Sequence, residues 1–269
     1  MKVVILGAGR MGSWLAETLA QDHEVILRDT DPERAERVPG VRPVRTEEEI
    51  RDFEPELLVN CVPLGFTIDV FRGILPLLPE ACMISDIASV KTGFGEYYRQ
   101  AGRPYVSTHP MFGPTHANVR SLEGENAVVI SESCEAGKAF FRDLYLGLGL
   151  RVFEDSFDGH DRTVAYSLAT PFASTLVFAA CMKRMDAPGT NFRKHREIAT
   201  SLLGEDDRLL AEILFNPHTV RQIELINSQL AYLNHIIMGR DFEEMQKFLA
   251  RLRSNLGLPG EGSSGSGGI

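Results

Sequence analysis

Lys2-Val3-Val4-Ile5-Leu6-Gly7-Ala8-Gly9-Arg10-Met11-Gly12 opens the chain with a short apolar run that stops at G-x-G-x-x-G. The run from Lys2 to Leu6 has the length and apolar continuity of a strand buried on both faces. After Gly12 come Trp14, Leu15, Thr18 and Leu19 on one helical face, then Glu24-Val25-Ile26-Leu27-Arg28-Asp29, a second strand ending in an acid 22 residues after Gly7. Each glycine has a task in such a unit. Gly7 makes the tight turn, Gly9 lets the backbone approach a pyrophosphate, and Gly12 lets the helix pack closely on the strand. The helix N-terminus faces the phosphate charge. The order strand, glycine turn, helix, strand, acid predicts a dinucleotide site, with Gly7, Gly9, Arg10, Met11 and Gly12 at the phosphates. Asp29 is expected to accept hydrogen bonds from the ribose hydroxyls and to repel a 2′-phosphate, which favours NAD over NADP. Arg28 would serve NADP, but strand alternation turns it away from Asp29.

The α/β rhythm continues through the first half. Residues 46–52 read as a short polar helix and Glu56 to Cys61 as a strand that runs into Val62-Pro63. A helix is expected from Thr67 to Leu78, then a strand from Cys82 to Asp86 followed by Ile87-Ala88-Ser89-Val90-Lys91-Thr92. Tyr105-Val106 is a short strand leading into Ser107-Thr108-His109-Pro110-Met111-Phe112-Gly113-Pro114, where two prolines and a glycine stiffen the surroundings of one imidazole. A positioned imidazole titrates near neutral pH and is a ready acid or base. Ala127 to Ile130, a helix from Glu135 to Leu146 and a strand from Leu150 to Phe153 close this half. In open parallel sheets ligands sit at the carboxyl ends of the strands, which brings Gly9, Asp29, Val62, Pro63, Ser89 and His109 to one edge.

From Asp158 the alternation gives way to helical periodicity. Helices are expected over 161–185, 192–203, 205–215, 219–237 and 241–255, with breaks at Pro188-Gly189, Gly204, Asn216-Pro217 and Met238-Gly239. Pro171 should kink the first of them or end its first segment. The fold class is thus α/β, an N-terminal Rossmann-like doubly wound parallel sheet over 1–156, followed by an all-helical domain over 157–256. Residues 257–269 form a flexible Gly/Ser tail excluded from the fold. An apolar helical domain of this kind calls for more cover than its own sheet domain, so a homodimer is expected.

Four motifs in order carry a resemblance. The glycine turn, Val62-Pro63, Asp86-Ile87-Ala88-Ser89-Val90-Lys91 and above all His109-Pro110-Met111-Phe112-Gly113-Pro114 resemble the prephenate dehydrogenase family, which includes cyclohexadienyl and arogenate dehydrogenases. His160-Asp161 with Ala165-Tyr166 also looks like that family's entry into its helical domain. The resemblance implies oxidative decarboxylation of prephenate to 4-hydroxyphenylpyruvate in tyrosine biosynthesis, with NAD, or less readily NADP, taking the hydride. It implies that His109 is the catalytic histidine that hydrogen-bonds the ring 4-hydroxyl. It implies too that Ser89 contacts that hydroxyl and orients the histidine, and that the enzyme is a homodimer. Arogenate, or both substrates, is the alternative. A catalytically silent nicotinamide-dependent sensor is a further one, against which the intact Ser89 and His109 speak.

The sequence also departs from the family. Ser167-Leu168-Ala169-Thr170-Pro171-Phe172 lacks the histidine many members carry there, and the family's carboxylate-binding arginine falls near Asn191 to Ala199. An ungapped match puts His195 at or next to its place, and a shift of one residue brings in Arg196. Two substrate carboxylates need cations, so Arg193, Lys194, His195 and Arg196 are the candidate substrate-binding cluster. A solvated helix face is the competing reading. His23, His218 and His235 read as surface or packing residues, His116 has no motif behind it, and His160-Asp161 reads as a helix cap.

A net charge of −9 on 269 residues, with no basic stripe, argues against nucleic acid. Apolar content of 43% with 24% charged residues is that of a globular protein. The longest apolar stretch, Leu168 to Met182, is shorter than a bilayer span and holds Pro171 and three hydroxyl residues, so no membrane segment is expected. The N-terminus is too short in apolar residues for a signal peptide, and a cytoplasmic enzyme is expected. Cys61, Cys82, Cys134 and Cys181 are widely spaced and read as buried reduced thiols, with no metal site.

Overall fold

A computed structural model describes residues 1–112, 122–183 and 186–258. Gly113-Pro114, His116 and the tail from Pro259 lie outside the described residues. The chain divides into two compact units, Met1–Thr219 and Val220–Ile269.

The first unit is built on one sheet of eight strands: β1 (Lys2–Leu6), β2 (Glu24–Arg28), β3 (Arg42–Pro43), β4 (Leu57–Asn60), β5 (Met83–Asp86), β6 (Tyr105–Pro110), β7 (Asn126–Ile130) and β8 (Arg151–Asp155). Their order is β3-β2-β1-β4-β5-β6-β7-β8. The strands run parallel from β3 to β6, β7 is antiparallel to β6, and β8 is parallel to β7. Helices α1 (Arg10–Leu19), α2 (Pro32–Glu36), α3 (Glu47–Phe53), α4 (Leu64–Ile74), α5 (Phe94–Ala101) and α6 (Glu135–Gly147) cover it. Both faces of β1 are buried, which is why it reads as continuous rather than alternating. Val3 and Ile5 join a cluster with Leu15, Leu19, Phe141 and Tyr145, whereas Val4 and Leu6 join Ile50, Phe71, Ile84 and Tyr98 on the other face. Each such side chain contributes about 1.5–3 kcal/mol on burial.

Two elements differ from the sequence expectation. The strand at Tyr105 does not stop at Val106 but runs through His109 to Pro110, so the histidine is held in a sheet and not in a turn beyond it. A proline is tolerated there because β5 pairs with β6 only from Tyr105 to Ser107. The missing N–H of Pro110 therefore leaves no bond to β5 unmade. Helix α5, in the loop where only motif residues had been read, is cut short by Gly102 in the left-handed region.

After β8 come α7 (Phe157–Val164), a π-helical segment (Ala165–Ala169), α8 (Thr170–Ala180), α9 (Thr190–Leu202) and α10 (Asp207–Leu214). Ser156, not His160-Asp161, caps α7, its hydroxyl accepting from Gly159 N, so the His-Asp pair lies inside the helix. Pro171 sits in the first turn of α8, and the wide turn before it lets the helix run on without a break. The resulting helix, Phe157–Ala180, is 24 residues long and by length and composition alone is apolar enough to cross a membrane. A helix of similar length, 161–185, is expected from the sequence; the observed one starts and ends earlier, and Pro171 begins a segment of it.

Among the described residues the second unit holds two helices, α11 (Thr219–Gly239) and α12 (Phe242–Asn255). Asp241 caps α12 through Glu244 N. The Tyr232 and Phe248 rings meet edge to face at 5.6 Å, with the Arg251 guanidinium over both.

Candidate active site

The carboxyl ends of β1, β2, β4, β5 and β6 open into a cleft of about 1730 Å³. Leu168, Phe172, Ile198 and Ile213 line its helical side. Gly7, Gly9, Arg10, Met11, Asp29, Val62, Pro63, Ser89 and His109, read from sequence as site residues, all line this one space. Phe112 lines it too and packs edge to face on Trp14 of α1 at 5.1 Å. The motif after β6 is thereby fixed against the helix that begins at the glycine turn.

Gly7 has φ +98°, a left-handed conformation that costs little only for glycine. Gly12 lies behind the cleft wall, and a Cβ on it would stand 1.9 Å from the Gly7 carbonyl oxygen. Gly9 differs: a Cβ there would meet nothing within 4 Å. The turn is thus tight where helix meets strand and open at Gly9, which fits a pyrophosphate over the N-terminus of α1. The Asp29 carboxylate accepts from Ala8 N at 2.6 Å and Asp31 N at 2.9 Å, bracing the end of β2 against the glycine turn. Arg28 is drawn to Glu47, 3.4 Å away.

Behind His109 stands a buried polar network that the sequence reading did not assemble. His109 Nδ1 lies 3.0 Å from His160 Nε2, and His160 Nδ1 lies 3.2 Å from Asp161 Oδ1. Asp161 Oδ1 accepts from Lys91 N at 2.6 Å, and Oδ2 accepts from the Thr92 hydroxyl at 2.6 Å. The Asp161 backbone oxygen accepts from Asn216 Nδ2 at 2.8 Å. The Lys91 ammonium donates to Asp86 Oδ1 and the Thr108 carbonyl, and Tyr98 donates its hydroxyl proton to Asp86 Oδ2. These bonds fix the first turns of the 24-residue helix against β5 and β6.

The ring of His109 is therefore contacted by His160, a partner additional to Ser89, to which the family resemblance gives the orienting task. The signal was the His160-Asp161 dipeptide itself, set aside as a cap. Burial pushes His109 well below the ordinary histidine value, with the neighbouring His160 and the Lys91 ammonium adding to the effect. Burial also lowers His160, against the upward pull of Asp161. For Asp161 burial acts upward, yet the bonds from His160, Thr92 and Lys91 N outweigh it and hold the carboxyl below its usual value. Both imidazoles are neutral at pH 7 and Asp161 is ionised.

Arg193, Lys194, His195 and Arg196 do not line the cleft; all four are exposed on α9, whose cleft-lining residues are Glu197, Ile198, Ser201 and Leu202. His195 Nδ1 is 3.0 Å from the Asn191 carbonyl within the same helix. Arg208 of α10 does line the cleft, its guanidinium over the Phe66 ring at 4.7 Å. Among the cysteines, Cys82 is buried with its thiol pushed up to about 12 by burial, whereas Cys181 is exposed, contrary to expectation.

Residues 15–145 match the family model described as prephenate dehydrogenase, nucleotide-binding domain. A probable arogenate/prephenate dehydrogenase of Methanocaldococcus jannaschii is 23% identical over 273 residues, covering 94% of this chain and 60% of the relative. Arogenate dehydrogenase 1, chloroplastic, of Arabidopsis thaliana is 21% identical over 268 residues, covering 94% and 42%. The chain thus spans 60% or less of the length of these curated relatives. In fold it is similar to the crystal structure of prephenate dehydrogenase from A. aeolicus in complex with hydroxyphenyl propionate and NAD+, with a TM-score of 0.82, 18% identity and coverage of 95% and 96%.

Proposed function

From the prephenate dehydrogenase family that these matches indicate, we propose that the chain catalyses NAD-dependent oxidative decarboxylation of prephenate to 4-hydroxyphenylpyruvate. The observation that carries this reading is that Ser89 and His109 line the same cleft as the glycine turn and Asp29. When bound, NAD supplies the hydride acceptor. The chain's task is to hold the ring C4 against it and to take the hydroxyl proton. His109 accepts that proton, so electron density builds at C4 and hydride departs more readily. Ser89 holds the same hydroxyl from the neighbouring strand end. Loss of carbon dioxide then aromatises the ring and makes the step effectively irreversible. Leu168, Phe172, Ile198 and Ile213 give the cleft an apolar wall.

Residues 1–156 then bind the dinucleotide, and 157–256 complete the substrate pocket and join two copies in a cytoplasmic homodimer. Exposed Tyr166, Val177 and Leu203 support the dimer, because apolar side chains exposed on helices call for cover. Arg208, which lines the cleft, is the cation that meets a substrate carboxylate, with Arg193, Lys194, His195 and Arg196, on the same helix as cleft-lining Glu197, as the competing cluster. Alanine at each, scored on KM against kcat, separates the two assignments.

One observation favours arogenate instead. The charged residue that α9 turns to the cleft is Glu197, a carboxylate suited to an α-ammonium group. Incubating the pure protein with prephenate or arogenate and with NAD or NADP, while following absorbance of the reduced cofactor, tests both readings at once. No reduced cofactor with either substrate overturns them.

A further inference from the structure

We propose that His160 and Asp161 are positioning residues that set the tautomer of His109, so that its Nε2 meets a substrate hydroxyl as a bare acceptor. The inference rests on the reading of His109 as the base. It follows from counting donors. An ionised carboxylate only accepts hydrogen bonds. Asp161 already takes protons from Lys91 N and Thr92, so its contact with His160 Nδ1 at 3.2 Å requires a proton on that nitrogen. A neutral imidazole carries one donor and one acceptor, so His160 Nε2 is an acceptor. The 3.0 Å contact then requires His109 Nδ1 to donate, which leaves Nε2 of His109 without a proton.

The relay works against the default. A histidine in water favours the proton on Nε2, the tautomer in which the cleft-facing nitrogen would be a donor. Such a ring could not take the substrate proton without first turning over. Burial, the largest effect, keeps the relay neutral, while the groups facing the pair pull in opposite directions: Lys91 lowers both rings, and Asp161 and Asp86 raise His160. Lys91 comes from the loop after β5, Asp86 from the end of β5, and Asp161 from α7 beside His160. His160 is 1% and Asp161 3% exposed, so water does not compete for either contact.

The test begins with nitrogen chemical shifts of protein labelled with [15N]histidine, the His109 signals being assigned by their loss in His109→Asn. The expected result at pH 7 is a protonated Nδ1 and an unprotonated Nε2 on His109; the reverse pattern overturns the proposal whatever the enzyme turns over. His160→Phe, which removes the acceptor, should lower kcat on the order of 100-fold, at the lower end of what general-base assistance supplies. KM and NAD affinity should change little. His160→Gln, whose amide oxygen can accept the Nδ1 proton, should recover most of that loss. Equal losses in the Phe and Gln variants, or none in either, overturn the relay. The nitrogen spectrum needs no turnover, so failure of the proposed reaction and failure of the relay are told apart. If His160→Phe does not fold, the wild-type spectrum and the Gln variant still decide.

Discussion

Lys91 Nζ lies 2.5 Å from Asp86 Oδ1, and neither side chain has any exposure to solvent. Burial lowers the Lys91 ammonium and Asp86 counters it. Asp86 also accepts from Tyr98 and from Ala88 N, so the pair is fully bonded. Removing one partner leaves an uncompensated buried charge. Lys91→Met is expected to destabilise the fold by about 3–5 kcal/mol, read from the urea midpoint. A change under about 1 kcal/mol would mean that the pair is not closed to water as described.

The two glycines flanking Arg10-Met11 should fail in different ways. Gly12→Ala drives a methyl into the Gly7 carbonyl and should cost about 1–3 kcal/mol of stability together with dinucleotide binding. Gly9→Ala meets no protein atom and should leave stability within about 0.5 kcal/mol of the parent. It should still weaken NAD binding about tenfold or more, because its methyl occupies space the pyrophosphate needs. Titration with NAD beside a melting curve checks both, and normal NAD affinity in Gly9→Ala would move the phosphates elsewhere.

Asp29 should decide the cofactor. Its charge opposes a 2′-phosphate by a few kcal/mol, so Asp29→Ser is expected to shift the NAD-to-NADP efficiency ratio on the order of 100-fold toward NADP. Because Asp29 also braces Ala8 and Asp31, some loss of NAD affinity should accompany the shift. An unchanged ratio would pass the ribose-reading role to Arg28 or Arg34, which line the same cleft.

His109→Asn keeps the rough shape of the side chain and removes its basicity. It is expected to bind NAD and substrate and to lose about 100- to 10,000-fold in turnover. Ser89→Ala should lose less, since the base and its bond to His160 remain. Turnover at saturating substrate, with NAD affinity measured separately, makes the comparison.

The buried histidines predict the sign of a pH effect. Both are lowered in the folded state, so below about pH 6.5 the unfolded chain binds protons that the folded chain refuses. Their contribution is fully present above that pH and is lost as the pH falls toward their folded values. Each can add up to about 1.4 kcal/mol per pH unit to the slope. Denaturation between pH 7 and pH 5 should show stability falling with acid, less steeply in His160→Gln. The acid limb of kcat/KM should likewise lie below pH 6.5, and a limb above it would place His109 in a wetter site.

Much of the sheet domain is legible in the sequence because its signals are local. The glycine turn, the acid ending β2 and the apolar strands each announce themselves within a few residues. The His109 network is not local: His109, His160 and the Asp86–Lys91 stretch come from three separate segments, and spacing along the chain carries no information about that meeting. The helical half was legible as helices, yet its cleft-facing residues were not. The dense charges at Arg193 to Arg196 stand out in sequence, whereas a helix turns only some positions inward, and here those are Glu197, Ile198, Ser201 and Leu202.

The position of His160 just past β8 bears on modularity. A fragment ending at Asp155 would retain the glycine turn, Asp29, Ser89 and His109, so by inventory it would be a complete nucleotide-binding half. Its His109 Nδ1 would nevertheless face water, with no acceptor to choose its tautomer. The seam that looks natural in sequence thus passes between the base and the residue that aims it. A chimera joined at that seam must therefore supply, just past β8, an acceptor for the His109 Nδ1 proton.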